Sequence, residues 1–388
     1  MAKNGQTDAP CLRVSLAMKI ALLHDDFMQE GGAESLFSEI AQIFPSAPVY
    51  TSLVDWDKLP ESVSRERVIT SFIQKIPFAS KFNKLLLSLY PLAFESFDFG
   101  GFDLVISSTT RFAKSAITKP QTVHISYVNN VPRFLWDEEV RERYLPKFLI
   151  KTIKPYFSWL RRWDRVASSR VDFYIANSQN IAERIKRHYG RFSFVIYPCA
   201  DTDFFTIPKV HNWQLKSKDY FLIVTRLVRW KKVELAIDAL AESNSPLIIV
   251  GDGPDENRLR RIAKRSSKVQ LVGRVTRKRL KEFYQNTRAL IVTQEEDFGI
   301  SMVEAQACGI PVIAYGKGGQ KEIVIEAKTG LFFENQSAQS LKDAIKYFSR
   351  LKWSKAACRK NALRFSKDNF ISNLRAVVKK HAAKTIGV

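Results

Sequence analysis

Short, wholly apolar runs separated by helical patterns constrain this chain more than any other feature. Residues 19–24 form the first such run, which opens through a polar loop into a helical pattern over 32–43. Residues 102–108, 122–127 and 171–178 repeat it. Runs that are apolar on successive residues suit strands buried on both faces, and strands separated by helices suit a parallel sheet. The pattern then restarts, with strand-like runs at 220–225, 247–251, 269–272, 289–293 and 311–315. The alternation predicts an α/β chain of two doubly wound halves, joined across 198–217, where polar and turn residues collect. The expected division is a tail over 1–17, a first domain over 18–205, a second over 206–365, and a helix over 366–388 expected to return to the first domain. A length of 388 residues accommodates two such domains.

Composition narrows the partners. The net charge of +22 calls for something anionic: nucleic acid, acidic lipid or phosphorylated small molecules. No nucleic-acid-binding signature is present, so no nucleic-acid partner is expected. No apolar run reaches the roughly 18–20 residues of a membrane span. The N-terminal charge at Lys3 is not followed by the apolar stretch of a secretory signal. Cys11, Cys199, Cys308 and Cys358 are too few and too scattered for a disulfide framework, which fits a reducing cytoplasm. The five histidines show neither H-E-x-x-H nor a Cys/His cluster, so no resident metal is expected. Asp201-Thr202-Asp203 has the form D-x-D, but it falls at the junction of the halves and reads as a turn.

In doubly wound sheets ligands bind outside the carboxyl ends of the strands. The richest such loop is Glu295-Glu296-Asp297-Phe298-Gly299-Ile300-Ser301-Met302-Val303-Glu304, which opens a helical pattern ending at Gly309. A helix start offers free N–H groups and positive dipole to a pyrophosphate, and Gly299 lets the backbone approach it. Glu296 and Glu304 can then bracket a sugar and a ribose diol. Ser301 and Glu304 equally match the S-x-x-E capping box, a purely structural motif, and the residues alone leave both readings open.

That run resembles the E-x7-E signature of retaining family 4 glycosyltransferases, which have the GT-B fold: two Rossmann-like domains facing an interdomain cleft. The resemblance extends from Met18 over most of the chain. Gly31-Gly32-Ala33-Glu34 resembles the family's N-terminal glycine loop. Thr225-Arg226-Leu227-Val228-Arg229-Trp230-Lys231 resembles its G-R-L-x-x-x-K element, with threonine in place of glycine. Val250 to Pro254, Val272 to Val275 and Tyr315 to Glu322 match three further elements in order. The resemblance implies that Glu296 contacts the transferred sugar and Glu304 the ribose. Arg226 and Lys231 would neutralise the diphosphate, the first bidentately and the second as a point charge. Phe298, Gly299 and Ile300 would offer backbone amides, Gly32 would face the phosphates from the other domain, and Arg274 and Val275 would lie near the base. The implied reaction needs no metal or cofactor beyond a nucleotide-sugar donor.

Tyr197 to Asp201, Ser107-Ser108 with Ala113-Lys114, and Pro132-Arg133-Phe134-Leu135-Trp136 are similar to mannosyltransferases of O-antigen and exopolysaccharide assembly. This implies GDP-mannose as donor, with a UDP-sugar as the other possibility, and a glycan or lipid-linked acceptor. One position departs from the family. Asn129 stands where a histidine is usual, and asparagine can hydrogen-bond a hydroxyl but cannot titrate. The nearby His124 falls inside a strand pattern and reads as structural.

Residues 146–165 interleave Lys147, Lys151, Lys154, Arg161, Arg162 and Arg165 with apolar and aromatic residues, and Pro155 is expected to break the run. A basic amphipathic segment suits an anionic bilayer, here the inner face of the cytoplasmic membrane, and the same pattern also fits a core-facing helix with a solvated basic face. The rival reading is a non-catalytic binder of anionic polymers or membranes with a decayed site. Asn129 and the charge favour it, whereas the complete Glu296, Glu304, Arg226 and Lys231 set opposes it.

Overall fold

The computed structural model describes residues 18–82, 85–137, 147–208, 220–241 and 245–382. The expected tail over 1–17 and the polar part of the junction over 209–219 lie outside them.

Two parallel sheets carry the chain. The first has seven strands: β1 (Ile20–His24), β2 (Val49–Thr51), β3 (Val68–Thr70), β4 (Leu104–Thr109), β5 (Val123–Val128), β6 (Phe173–Ala176) and β7 (Ser193–Val195). Their order is β3-β2-β1-β4-β5-β6-β7. The second has six: β8 (Phe221–Val224), β9 (Leu247–Val250), β10 (Val269–Gly273), β11 (Ala289–Val292), β12 (Val312–Tyr315) and β13 (Gly330–Phe333), in the order β10-β9-β8-β11-β12-β13. Both follow the doubly wound Rossmann order, which reverses direction between strands one and four. In the first sheet that switch point is β1/β4, in register from Ile20 with Leu104 to His24 with Ser108. In the second it is β8/β11, where Phe221 faces Ala289.

Every strand expected from sequence is present within two residues of its expected bounds. β2, β3, β7 and β13 were not expected. β2, β3 and β7 are three residues long, too short to leave a periodic signal, and β13 is four residues opening on Gly330. The helix over Gly32–Ile43 has its expected bounds. Pro155 does not break the basic segment: one helix runs over Lys147–Ser168 through it. An internal proline removes a single backbone donor. Phe157, Leu160 and Asp164, spaced three and four apart, are buried along one face, and that burial holds the helix together across the gap.

The chain falls into two compact units. One comprises the described residues of Met1–Tyr127, Ala167–Phe173 and Val378–Val388, and the other those of Val128–Val166 and Tyr174–Val377. The second unit holds the whole six-stranded sheet. One face of that sheet packs Leu222, Leu290 and Val312 under Met302, Val303 and Phe365. The other packs Phe221, Ile291 and Ile313 under Ile237, Leu240 and Leu341. His124 is buried in β5, where its Nε2 pairs with the Ser107 hydroxyl at 2.9 Å. Burial pushes it down to about 3, so it is neutral and structural.

Candidate active site

The loops leaving β8 and β11 bring Lys231 and Glu296 together. After β8 the chain turns through Arg229–Lys231. Leu227 donates its N–H to the Asp252 carbonyl at 2.7 Å, which holds the turn against the Gly251–Gly253 loop. The two backbones pass so closely that a Cβ on Gly251 would sit 1.9 Å from the Thr225 carbonyl oxygen, and only glycine readily takes its φ of +132°. The turn is therefore rigid, and it aims Lys231 inward. The Lys231 ammonium lies 2.5 Å from Glu296 Oε1 and 4.1 Å above the Trp230 ring. Thr293 donates to the Lys231 carbonyl at 2.7 Å.

Glu296 is held through its own peptide. Gln320, fully buried, accepts from the Glu296 N–H at 3.0 Å and donates to the carbonyls of Gln294 and Tyr315 at 2.8 and 2.7 Å. Gly319 N–H donates to the Glu296 carbonyl at 2.8 Å. A Cβ on Gly319 would meet the Asp297 carbonyl oxygen at 2.4 Å. The Gln294 amide also bonds the Glu296 carboxylate. Both ends of the residue are fixed, so its carboxylate has little freedom to move.

Gly299, at φ +107°, is the N-cap of the helix over Ile300–Ala307 and makes no side-chain cap. The capping-box reading of Ser301 and Glu304 is therefore corrected. The helix begins one residue before Ser301, so serine cannot be the cap, and Glu304 Oε2 instead accepts from the Tyr284 hydroxyl at 2.9 Å. Burial pushes the Glu304 carboxyl up to about 7, against the opposing Tyr284 hydrogen bond. The Phe298 side chain packs against Tyr197 and Phe365 in the core, leaving only its backbone to a ligand. Arg226 and Arg274 are exposed, and Val275 packs at the edge of the core. Asp201 forms the expected turn, accepting from the Phe204 N–H at 3.1 Å and pairing with Arg277 at 2.7 Å.

Asn129 is buried, and its carbonyl accepts from Asn177 Nδ2 at 2.8 Å. Its neighbour Asn130 reaches the signature loop, donating to Asp297 Oδ2 at 2.8 Å. Arg184 pairs with Asp297 at 3.1 Å and Glu295 at 3.0 Å, and the Ser178 hydroxyl donates to the Asp297 carbonyl at 2.7 Å. Glu322 accepts from the N–H groups of Gln179 and Asn180 at 2.7 and 3.1 Å, at the start of the helix over Gln179–Tyr189. Sequence reasoning singled out none of Asn130, Arg184, Gln294, Gln320 and Tyr284. Their signal is proximity in space, apart from Gln320, which directly follows the glycine pair at 318–319.

Gly32 lies in the other unit, where it begins the helix Gly32–Ile43 after the extended N-cap Gly31. Beneath that helix start, Glu34 is buried and pushed up to about 7 by desolvation. Asp26 pairs with Arg111 nearby.

On the helix Lys147–Ser168, Tyr156, Trp159 and Val166 are exposed, as are Lys154, Arg162 and Arg165, while Arg161 is partly buried. The side chains of Lys147 and Lys151 lie outside the described residues, as does Pro146. No helix among the described residues is long and apolar enough to cross a membrane, and no group of three or more His, Cys, Asp or Glu among them is placed to hold a metal ion.

A family described as "Glycosyltransferase Family 4" matches residues 31–204, and one described as "Glycosyl transferases group 1" matches residues 204–365. The chain is 24% identical over 283 residues to an uncharacterized glycosyltransferase of Methanocaldococcus jannaschii, spanning 70% of this chain and 73% of that protein. It is 26% identical over 212 residues to the D-rhamnosyltransferase of Pseudomonas aeruginosa, spanning 52% and 54%. Among solved structures, Anabaena HepE in complex with UDP and glucose superposes with a TM-score of 0.66 at 20% identity, over 93% of this chain and 99% of that one. Two Rossmann-like sheets, matched in succession by a family 4 domain and a group 1 domain, make this chain a glycosyltransferase of the GT-B fold.

Proposed function

We propose that the protein is a retaining, metal-independent hexosyltransferase. Its donor is mannose from GDP-mannose, and its acceptor is a glycan or lipid-linked sugar of cell-surface polysaccharide at the cytoplasmic face of the membrane. The observation that carries the reading is the fixed Lys231–Glu296 pair at the β8/β11 switch point, beside an uncapped helix start. In this reading Lys231, Arg226 and the amides at Phe298, Gly299 and Ile300 stabilise the diphosphate as charge develops on it. Glu296 faces the sugar, Glu304 the ribose and Arg274 with Val275 the base. Asn129 orients a sugar hydroxyl, since its amide both donates and accepts. The UDP and glucose of the Anabaena neighbour keep a UDP-sugar as the alternative donor.

The test is a panel of GDP- and UDP-sugars, read by thermal shift and by release of nucleotide, with and without EDTA. Stabilisation by GDP-mannose and EDTA-resistant turnover are expected. Binding of no nucleotide in the panel overturns the reading, and EDTA-sensitive turnover recovered by Mn²⁺ overturns its metal independence.

The same reading sets the outer face of the helix Lys147–Ser168 against anionic lipid. Exposed Tyr156 and Trp159 stack at 6.0 Å among exposed cations, a combination suited to a headgroup layer. Each such cation contributes about 1 kcal/mol near an acidic surface, screened by salt. Flotation with phosphatidylglycerol vesicles at low salt is expected, with release at high salt. Replacing Lys154, Arg161 and Arg162 by glutamine is expected to weaken it, and unchanged flotation of that variant refutes the assignment.

A further inference from the structure

Two adjoining cavities in the second unit are not accounted for by the donor assignments. The larger holds about 450 Å³, within the roughly 300–1,000 Å³ of small-molecule sites, and Arg133, Trp136, Arg184, Arg187 and His188 line it. The smaller, about 180 Å³, is lined by Trp230, Lys232 and Lys317. Arg133 and Glu295 form walls of both.

The cations outnumber the anions here, and the anions are already engaged. Five basic side chains, Arg133, Arg184, Arg187, Lys232 and Lys317, face Asp137 and Glu295. Glu295 is paired with Arg184 at 3.0 Å, and Asp137 with Arg133 at a long 3.4 Å. The Arg133 Nε is buried with no hydrogen-bond partner among the described residues. A buried donor left unpaired is costly, and here it belongs to an arginine whose guanidinium lies between the two cavities. Arg187 is exposed at the rim, with no ion pair or hydrogen bond among the described residues. The larger cavity also abuts the basic helix. Trp136 Nε1 donates to Asp164 at 2.8 Å, and Arg165 donates to the His188 carbonyl at 3.2 Å while lying 5.5 Å over the Trp136 ring.

We infer that the cavities either side of Arg133 form a binding site for a phosphate or diphosphate group, distinct from the donor diphosphate site. Guanidinium groups grip phosphate oxygens bidentately, whereas lysines supply point charge, and both are present. In so far as this rests on the proposed transferase function, the group belongs to the acceptor, either as a soluble sugar phosphate or as a lipid-linked diphosphate. The neighbouring helix favours the lipid.

The experiment titrates full-length protein with inorganic pyrophosphate in the presence of saturating GDP or UDP. Wild type, Arg187→Ala and Arg133→Gln are compared, with geranyl diphosphate as a second probe. Arg187 is exposed, so its removal leaves the fold intact. Pyrophosphate binding weakened roughly fivefold or more by Arg187→Ala and roughly tenfold by Arg133→Gln, with nucleotide affinity unchanged, is expected. Tighter binding of geranyl diphosphate points to the lipid source, and equal binding to the soluble one. Affinities of both variants within about twofold of wild type, or displacement of pyrophosphate by nucleotide, overturn the site. Nucleotide binding without pyrophosphate binding removes this site and spares the transferase reading. Arg187-dependent pyrophosphate binding without nucleotide binding does the reverse.

Discussion

Glu296→Gln is expected to lower kcat by roughly 10²–10³ while leaving nucleotide affinity near wild type. The carboxylate lies 2.5 Å from the Lys231 ammonium, and its peptide is clamped by Gln320 and Gly319. Glutamine keeps the shape and those backbone bonds but removes the charge. Lys231 then loses its partner and remains available to a diphosphate, so binding has no reason to weaken. Near-normal turnover by folded Glu296→Gln defeats the assignment.

Glu304→Gln is expected to act on the other parameter, raising KM with little change in kcat, because its carboxyl is assigned to the ribose. Its pH behaviour separates the two residues. Burial raises the Glu304 carboxyl to about 7, so below that it is neutral and bonded to Tyr284. As pH rises through about 7 the carboxylate forms and gains acceptor capacity for a diol. Nucleotide affinity of the wild type should therefore improve from acid to mildly alkaline pH, and that of Glu304→Gln should stay flat. The stability of the unliganded protein runs the opposite way. The unfolded chain releases this proton in the ordinary carboxyl range while the folded one keeps it. Stability from this group is thus greatest below that range and falls as pH rises through about 7. Parallel pH profiles of affinity for the two proteins would count against the ribose assignment.

Asp25→Asn is expected to destabilise the fold by about 3–5 kcal/mol, despite being nearly isosteric. Asp25 is buried at the β1/β4 switch point and ties the loop after β4 to β1. Its Oδ1 accepts from the N–H groups of Phe112 and Ala113 at 2.8 and 2.7 Å. Its Oδ2 accepts from the N–H of Arg111 and the hydroxyl of Thr110, both at 2.9 Å, and from the Thr110 N–H. Each oxygen therefore faces donors only. An amide must point its NH₂ at one of these sets, which leaves buried backbone donors unpaired and opposed. Burial alone would raise this carboxyl, but Arg111, His24 and the backbone donors overcome it and hold it below the usual range. Its contribution is therefore present at neutral pH and lost as pH falls through the acid range. Urea unfolding at neutral pH measures the effect, and a loss under about 1 kcal/mol would show that the network is dispensable.

Local pattern determined the strand alternation, the position of the switch-point loops and the E-x7-E helix start. Each of these depends on the order of residues within a dozen positions of one another. What the carboxylates do was decided elsewhere. Ser301-x-x-Glu304 satisfies a capping pattern, yet Gly299 took the cap and Tyr284, twenty residues away, took the glutamate. Lys231 and Glu296 are 65 residues apart in sequence and meet because β8 and β11 are neighbours in the sheet. Asn130 and Arg184 reach Asp297 from separations of 167 and 113 residues, and neither periodicity nor spacing could foretell them. Pro155 shows the same limit from the other side: the local rule forecast a break, and burial of Phe157, Leu160 and Asp164 outweighed the one lost hydrogen bond. Sequence determines which backbone shapes are accessible. The energy of a buried charge or donor depends on what surrounds it, and that is settled only when strand order and side-chain packing are complete.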